Sequence, residues 1–308
     1  VSISTTHAVV GSLPGVIPPL ITPLTLEGAL DRDALARHVE TLIADGVTGL
    51  FVLGSSGEGP WLTPDQRETV VATAAEAAAG RVPVLAGVLD PGATVAIDNA
   101  ARAATAGASA IVVTTPYYFA ANHDTQMRHF ALIADASTVP VILYNIPEMT
   151  HNRLDPETVA ELAAHPNIVG IKDSNGNQDD FARFLAIRAA HPGFVVFQGH
   201  ERSAGKALLA GADGVVPGLG NLAPSVFVEM AQRANTGDRV AVGGLQEQIE
   251  RLWHLHVEDI WLVCLKYACS LNGIGSGATA GHAGQLTDAS KDTIARLVAS
   301  DGVLETMR

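Results

Sequence analysis

Eight short apolar runs, separated by amphipathic stretches, constrain this chain more than any other feature. The runs begin near Val16, Val47, Pro83, Ala110, Pro140, Ile168, Phe194 and Asp213. Between them, apolar residues recur at helical spacing over Asp31 to Ala44, Pro64 to Ala79, Thr94 to Ala106, Thr125 to Ala136, Asp155 to Ala164, Gln178 to Ala190 and Ser203 to Ala210. Strand and helix therefore alternate with a period of roughly 30 residues, the length of one βα unit. Runs this apolar belong to strands covered on both faces, as in a parallel sheet. The punctuation agrees. Thr63-Pro64, Asp155-Pro156 and Ala223-Pro224 mark helix starts, and Gly46, Gly80, Gly107 and Gly211 follow helix ends.

Eight such units predict an α/β fold, a closed (β/α)₈ TIM barrel over residues 1–234. An open doubly wound sheet is the alternative, but it usually has fewer strands, and no Gly-x-Gly-x-x-Gly follows the first run. Beyond Pro224 the strand signal stops. Val226 to Ala234, Arg239 to Ser270 and Thr287 to Ser300 read as helices: an eighth barrel helix, then a small all-helical C-terminal extension over 235–308. The middle segment is expected as one long helix, with Leu252, Leu255, Ile260, Val263 and Tyr267 on its apolar face. The Gly-rich link from Asn272 to Gly284 has no strand before it, so it reads as a loop and not as a phosphate cradle.

Composition narrows the function classes. Apolar residues make up 47% and charged residues 17%, so a large core is expected. A net charge of −13, from 19 basic and 32 acidic residues, argues against nucleic acid or an anionic membrane as partner. No apolar stretch is long enough to span a bilayer. Cys264 and Cys269, five apart in a helical stretch, point away from each other, which indicates neither a disulfide nor a metal pair. Val1 to Ser12 lack the pattern of a signal peptide. A cytoplasmic protein is expected.

The chemistry collects at the carboxyl ends of the strands, where such barrels keep their sites. Strand six ends in Ile171-Lys172-Asp173-Ser174, so Lys172 projects out of a packed core. Burial disfavours an ammonium, and a neutral amine is a carbonyl nucleophile; the alternative is a lysine that snorkels to solvent. Strand two ends in Gly54-Ser55-Ser56-Gly57-Glu58-Gly59, a turn whose hydroxyls hold an anion or merely cap the next helix. Strand four ends in Thr114-Thr115-Pro116-Tyr117-Tyr118 and strand five in Tyr144-Asn145-Ile146-Pro147; such tyrosines move protons or plug the core. His200-Glu201, after strand seven, reads as a helix start in preference to a metal pair. His254 and His256, two apart on the expected helix, face different ways and read as structural or exposed. Together these groups suit a lysine that forms an imine with a 2-oxo acid, its carboxylate held at the Gly-rich turn and its protons moved by a tyrosine. No metal and no cofactor are needed, because a protonated imine is itself the electron sink.

Gly54-Ser55-Ser56-Gly57-Glu58, Thr115-Pro116-Tyr117-Tyr118, Tyr144-Asn145-Ile146-Pro147 and Ile171-Lys172-Asp173 resemble, in order and spacing, the signatures of the dihydrodipicolinate synthase / N-acetylneuraminate lyase family. The resemblance runs from Pro18 through the helical tail. It implies Lys172 as the Schiff-base lysine, Tyr144 as the acid/base tyrosine, and Ser55 and Ser56 as carboxylate binders. It also implies Tyr118 reaching into a neighbouring subunit's site, and Gly199 and Val216 lining the pyruvyl pocket. A homo-oligomer follows, a dimer or a dimer of dimers such as a homotetramer. One departure stands out. Where dihydrodipicolinate synthases carry an arginine five residues after the acid/base tyrosine, this chain has Met149, which cannot clamp a carboxylate. Arg153 lies close in sequence as a substitute. The expectation is therefore a class I lyase on pyruvate or another 2-oxo acid, with reversible aldol cleavage of a 2-oxo-3-deoxy or 4-hydroxy-2-oxo acid first. A dehydratase, dihydrodipicolinate synthesis and a non-catalytic 2-oxo acid-binding barrel follow, and a metal-dependent aldolase is a more distant rival.

Overall fold

Each apolar run forms a strand, and every pairing between them is parallel. The computed structural model describes residues 11–257, 260–281 and 283–300, so most of the Val1 to Ser12 stretch read for a leader lies outside the described residues. The strands are β1 (Gly15–Val16), β2 (Leu50–Val52), β3 (Val84–Val88), β4 (Ala110–Thr114), β5 (Val141–Asn145), β6 (Ile168–Asp173), β7 (Val195–Gln198) and β8 (Gly214–Val215). Each pairs with its sequence neighbour from β2 through β8, and β8 pairs with β1. The last gap is closed by the chain just after β1: Phe51 N–H donates to Pro18 O at 3.0 Å and Leu20 N–H to Phe51 O at 2.8 Å. Asn221 braces this seam, donating to Pro19 O at 2.9 Å and accepting from Ile21 N–H at 3.0 Å.

The helices alternate with the strands as the sequence predicts. They are α1 (Arg32–Ala44), α2 (Pro64–Ala78), α3 (Ala93–Thr105), α4 (His123–Ala136), a single turn α5 (Pro147–Thr150), α6 (Pro156–Leu162), α7 (Gln178–Ile187), α8 (Ala204–Leu209) and α9 (Pro224–Asn235). Three of them begin on the prolines at 64, 156 and 224. Gly46, Gly80, Gly107 and Gly211 all take positive φ, the backbone that reverses the chain from helix to strand.

Two apolar clusters follow from the strand period of two. The larger lies between strands and helices and takes Val84, Ala86 and Val88 from β3 and Val141 and Leu143 from β5. The smaller fills the barrel interior with Leu85, Val112, Ile142, Tyr144, Val195 and Phe197.

Strand β6 breaks this alternation. Val169 belongs to the inner cluster, so strict alternation would turn residue 172 outward. The register slips beside Val141 and Ile142, so that Ile142 faces Gly170 and Tyr144 faces Lys172. One extra residue resets the phase, and Lys172 turns inward next to Tyr144. Gly170 permits this, since a Cβ there would lie 2.5 Å from Val195 O.

The C-terminal region departs from the expected single helix over Arg239 to Ser270. It forms α10 (Arg239–Trp253) and α11 (Trp261–Leu271), followed by α12 (Asp288–Ser300). The apolar face shows why: its residues step by three or four except between Leu255 and Ile260, where a step of five loses the phase. Leu255 is fully buried and Ile260 is exposed, so they share no face. The link after α11 is a loop, as expected.

One buried ion pair binds this region to the barrel. Lys266, on α11, pairs with Glu58 of the β2 turn and donates to Thr22 O at 2.9 Å. Both side chains are almost inaccessible, at 1% and 0%. The second oxygen of Glu58 accepts from Ala280 N–H at 2.6 Å. Glu58→Gln is expected to cost about 3–5 kcal/mol of stability, because it leaves a buried ammonium without its counter-charge. In urea unfolding, the double variant Glu58→Gln, Lys266→Met should recover most of that loss.

Candidate active site

A cavity of about 300 Å³ opens over the carboxyl ends of the strands. Ser55, Ser56, Tyr144, Lys172, Gly199 and Val216 all line it, so the barrel gathers six expected site residues from five separate strand ends. Lys172 is 5% exposed and does not snorkel. Its amine lies 4.1 Å from the ring centre of Tyr144 and 4.9 Å from that of Phe51. Those two rings meet edge to face at 6.3 Å. The amine is thus positioned by aromatic faces, which attract a cation and exclude water beneath it. Gly199 must lack a side chain, since a Cβ there would lie 2.8 Å from Cε of Lys172 and 2.2 Å from Oγ of Ser174.

The serine turn is built by close backbone approach. Leu53 and Glu58 both hold left-handed backbone, at φ of 60° and 56°. A Cβ on Gly57 would stand 2.9 Å from Leu20 O, and one on Gly59 only 2.1 Å from Leu53 O. Capping does not explain the serines, because α2 is capped by Thr63, which accepts from Gln66 N–H at 3.3 Å. Ser56 is buried and Ser55 partly so, with the cavity before them.

Beneath the lysine lies a polar brace. Asn145 donates to Asp173 at 2.7 Å and accepts from Leu154 N–H at 3.0 Å. Burial pushes the Asp173 carboxyl up to about 6, against the pull of the Asn145 hydrogen bond. Arg153, the candidate substitute for the missing arginine, is not at the cavity. It pairs with Asp180 at 2.7 Å and with Asp155 at 3.3 Å, on the far side of β6.

Tyr118 stands apart from the other expected residues. It is 88% exposed, at φ 76°, edge to face with Phe119 at 5.0 Å. The loop carrying it is held by Asn152, which donates to Pro116 O at 2.8 Å and Phe119 O at 3.0 Å and accepts from Ala121 N–H at 2.9 Å. Tyr117 is the plug, its hydroxyl donating to Leu89 O at 3.1 Å.

Four lining groups were not read as site residues from the sequence: Glu201, Trp253, His256 and Trp261. Glu201 opens a short 3₁₀ turn, Glu201–Ser203, so His200-Glu201 is a helix start; yet its carboxylate points into the core and accepts from Leu219 N–H at 2.5 Å. Burial pushes Glu201 up to about 7, opposed by the Leu219 and Gly218 N–H groups and by Lys172. His256 lies beyond the end of α10, not on a helix, and lines the cavity between Trp253 and Trp261. The sequence signal for this aromatic wall was the five-residue step that breaks the helix.

Ionised Glu201 repels a carboxylate entering the same cavity. The cavity's affinity for a small carboxylate is therefore expected to weaken severalfold as pH rises through about 7. Glu201→Gln should remove that inflection from the pH profile of KM, leaving only the titrations of the other groups.

Comparison with known proteins agrees with this geometry. The model of the dihydrodipicolinate synthetase family matches residues 12–300. A Xylella fastidiosa protein named 4-hydroxy-tetrahydrodipicolinate synthase is 39% identical over 82% of this chain and 80% of its own length. A protein of the same name from Xanthomonas campestris is 42% identical over 75% and 76%. Among solved structures, the Escherichia coli prophage protein YagE, of the dihydrodipicolinic acid synthase family and in complex with pyruvate, superimposes with a TM-score of 0.90 at 32% identity, over 94% of this chain and 99% of that one. Dihydrodipicolinate synthase from Thermotoga maritima gives 0.91 at 27% identity, over 95% and 100%. The chain belongs to the dihydrodipicolinate synthase family.

Proposed function

We propose that this chain is a carbon–carbon lyase that works through an imine on Lys172, with pyruvate as the 2-oxo acid and reversible aldol cleavage of a 4-hydroxy-2-oxo or 2-oxo-3-deoxy acid as the reaction. The observation that carries this reading is the placement of Lys172 directly opposite Tyr144, inward-facing, at the floor of a cavity. The amine attacks the ketone carbon, and loss of water gives a protonated imine. Ser55 and Ser56 line the same cavity, and their hydroxyls and turn backbone offer donors to the carboxylate. Tyr144 then moves the proton that the cleaved or newly formed hydroxyl must lose or gain.

Dihydrodipicolinate synthesis is the second reading, supported by the names of the curated relatives. It asks for a cation to hold the carboxylate of the aldehyde partner, and Met149 and the outward pairing of Arg153 weigh against it. Association with a second copy of the chain fits the Tyr118–Phe119 pair, an exposed aromatic tip on a loop that hydrogen bonds hold in place.

Incubation with pyruvate and borohydride should add one reduced adduct per chain, mapping to the peptide that contains Lys172. Lys172→Ala should abolish both adduct and turnover, whereas Tyr144→Phe should still trap pyruvate while kcat falls about 10²–10⁴-fold. Unchanged turnover in Lys172→Ala would refute the mechanism. Replacing Tyr118 and Phe119 together by Ala is expected to shift the sedimentation profile towards monomer.

A further inference from the structure

The cavity has two unlike halves. Its floor holds Lys172, Tyr144 and the serine turn. Its outer wall is formed by Trp253, His256 and Trp261 with Met149, Ile146 and Leu265. The three rings stand edge to face: Trp253 and His256 at 4.5 Å and 84°, His256 and Trp261 at 6.2 Å and 78°. Trp253 and Trp261 pack one side on the main apolar cluster and present the other to the cavity.

Charge sharpens the contrast. Among the described residues, Lys172 is the only lysine or arginine that lines the cavity, and the imine would occupy it. The remaining charged lining groups are acidic, Glu148 at the exposed mouth and Glu201 in the interior. A second carboxylate on the substrate would meet no cation and two carboxyl groups. A polyhydroxylated tail fares little better. Glu201 already accepts from Leu219 N–H, and His200 Nδ1 is engaged with Ser203 Oγ at 3.1 Å. Its hydroxyls would be set against indole and thioether surface, and each hydrogen bond left unmade carries a cost.

From this geometry we propose that the outer half of the cavity is an acceptor subsite for an uncharged aromatic aldehyde. The inference rests on the imine reading of Lys172 and adds the identity of the second substrate. A planar ring stacks offset or edge to face on indoles and imidazole, and the cavity of about 300 Å³ suits a pyruvyl unit and one ring. His256 supplies a polar point in this wall, because among the described residues its buried Nδ1 has no hydrogen-bond partner. Burial pushes that imidazole down to about 4, so the wall is uncharged at neutral pH. In the synthetic direction, the Tyr144 phenolate takes a C3 proton from the Lys172-bound protonated imine, and C3 of the resulting enamine bonds to the aldehyde carbon as the protonated imine re-forms. The carbonyl electron pair becomes a hydroxyl by taking the Tyr144 proton, and water then releases the 4-aryl-4-hydroxy-2-oxobutanoate and regenerates the amine.

The test gives the enzyme pyruvate with benzaldehyde, glyceraldehyde or succinic semialdehyde in turn, with borohydride trapping of pyruvate run alongside. Benzaldehyde is expected to show at least about a tenfold advantage in kcat/KM over both others. Trp253→Ala should raise the KM for benzaldehyde about tenfold and affect that for pyruvate less. Met149→Arg, at the half-exposed rim, should narrow the gap in favour of succinic semialdehyde. Trapping at Lys172 with no turnover of benzaldehyde, or with glyceraldehyde or succinic semialdehyde preferred, overturns this inference and leaves the imine mechanism standing. Absence of trapping at Lys172 overturns both.

Discussion

A charged side chain pointing into the packed interior of a closed barrel is the constraint around which this protein is arranged. An ammonium in such a place needs compensation, and here it comes from aromatic faces rather than a counter-ion at contact distance. Phe51 and Tyr144 flank the amine, and Glu201, which also lines the cavity, is itself pushed up to about 7 by burial. An amine placed this way is poised to react with a carbonyl. The cavity above it is the consequence, because filling that space with side chains would leave the lysine nothing to act on.

A second buried cation contrasts with the first. Lys266 is paired with Glu58 and also donates to Thr22 O, and its role is mechanical: it ties α11 to the turn that carries Ser55 and Ser56, and Glu58 in turn holds the loop at Ala280. Through that link the C-terminal helices are part of the site. They hold the serine turn from behind while the break between α10 and α11 closes the cavity from above. The two lysines differ not in burial but in whether a carboxylate meets them.

The family likeness and the aromatic wall bear on different halves of the reaction. The inner end of the cavity is made by strand ends and the turn after β2: the lysine, the tyrosine, the serine turn and the glycine that clears room for the lysine side chain. The partner end is composed of Met149, Trp253, His256 and Trp261, contributed by a loop and a helix break. Such segments vary without disturbing the barrel, so one scaffold supports different carbonyl acceptors. Fold and family follow from the whole chain, whereas the second substrate must be read from this chain's own side chains.

The barrel and its eight strands were legible from sequence, because they depend on local rules. Apolar runs of strand length, prolines at helix starts and glycines at helix ends need no knowledge of distant neighbours. Three features were decided only in three dimensions. Alternation along β6 would have turned Lys172 outward, and the slip that reverses it depends on how Gly170 packs against Val195 of the next strand. Arg153 lay near enough in sequence to reach the site, yet Asp180 holds it on the other face of the sheet. His256 read as a helix-surface residue until the chain broke beside it, and the break placed it between two tryptophans over the cavity. The first two outcomes rest on contacts between residues about 25 positions apart, which no local pattern encodes. The third followed from a helix break that the five-residue step does mark, but its place over the cavity depends on the fold.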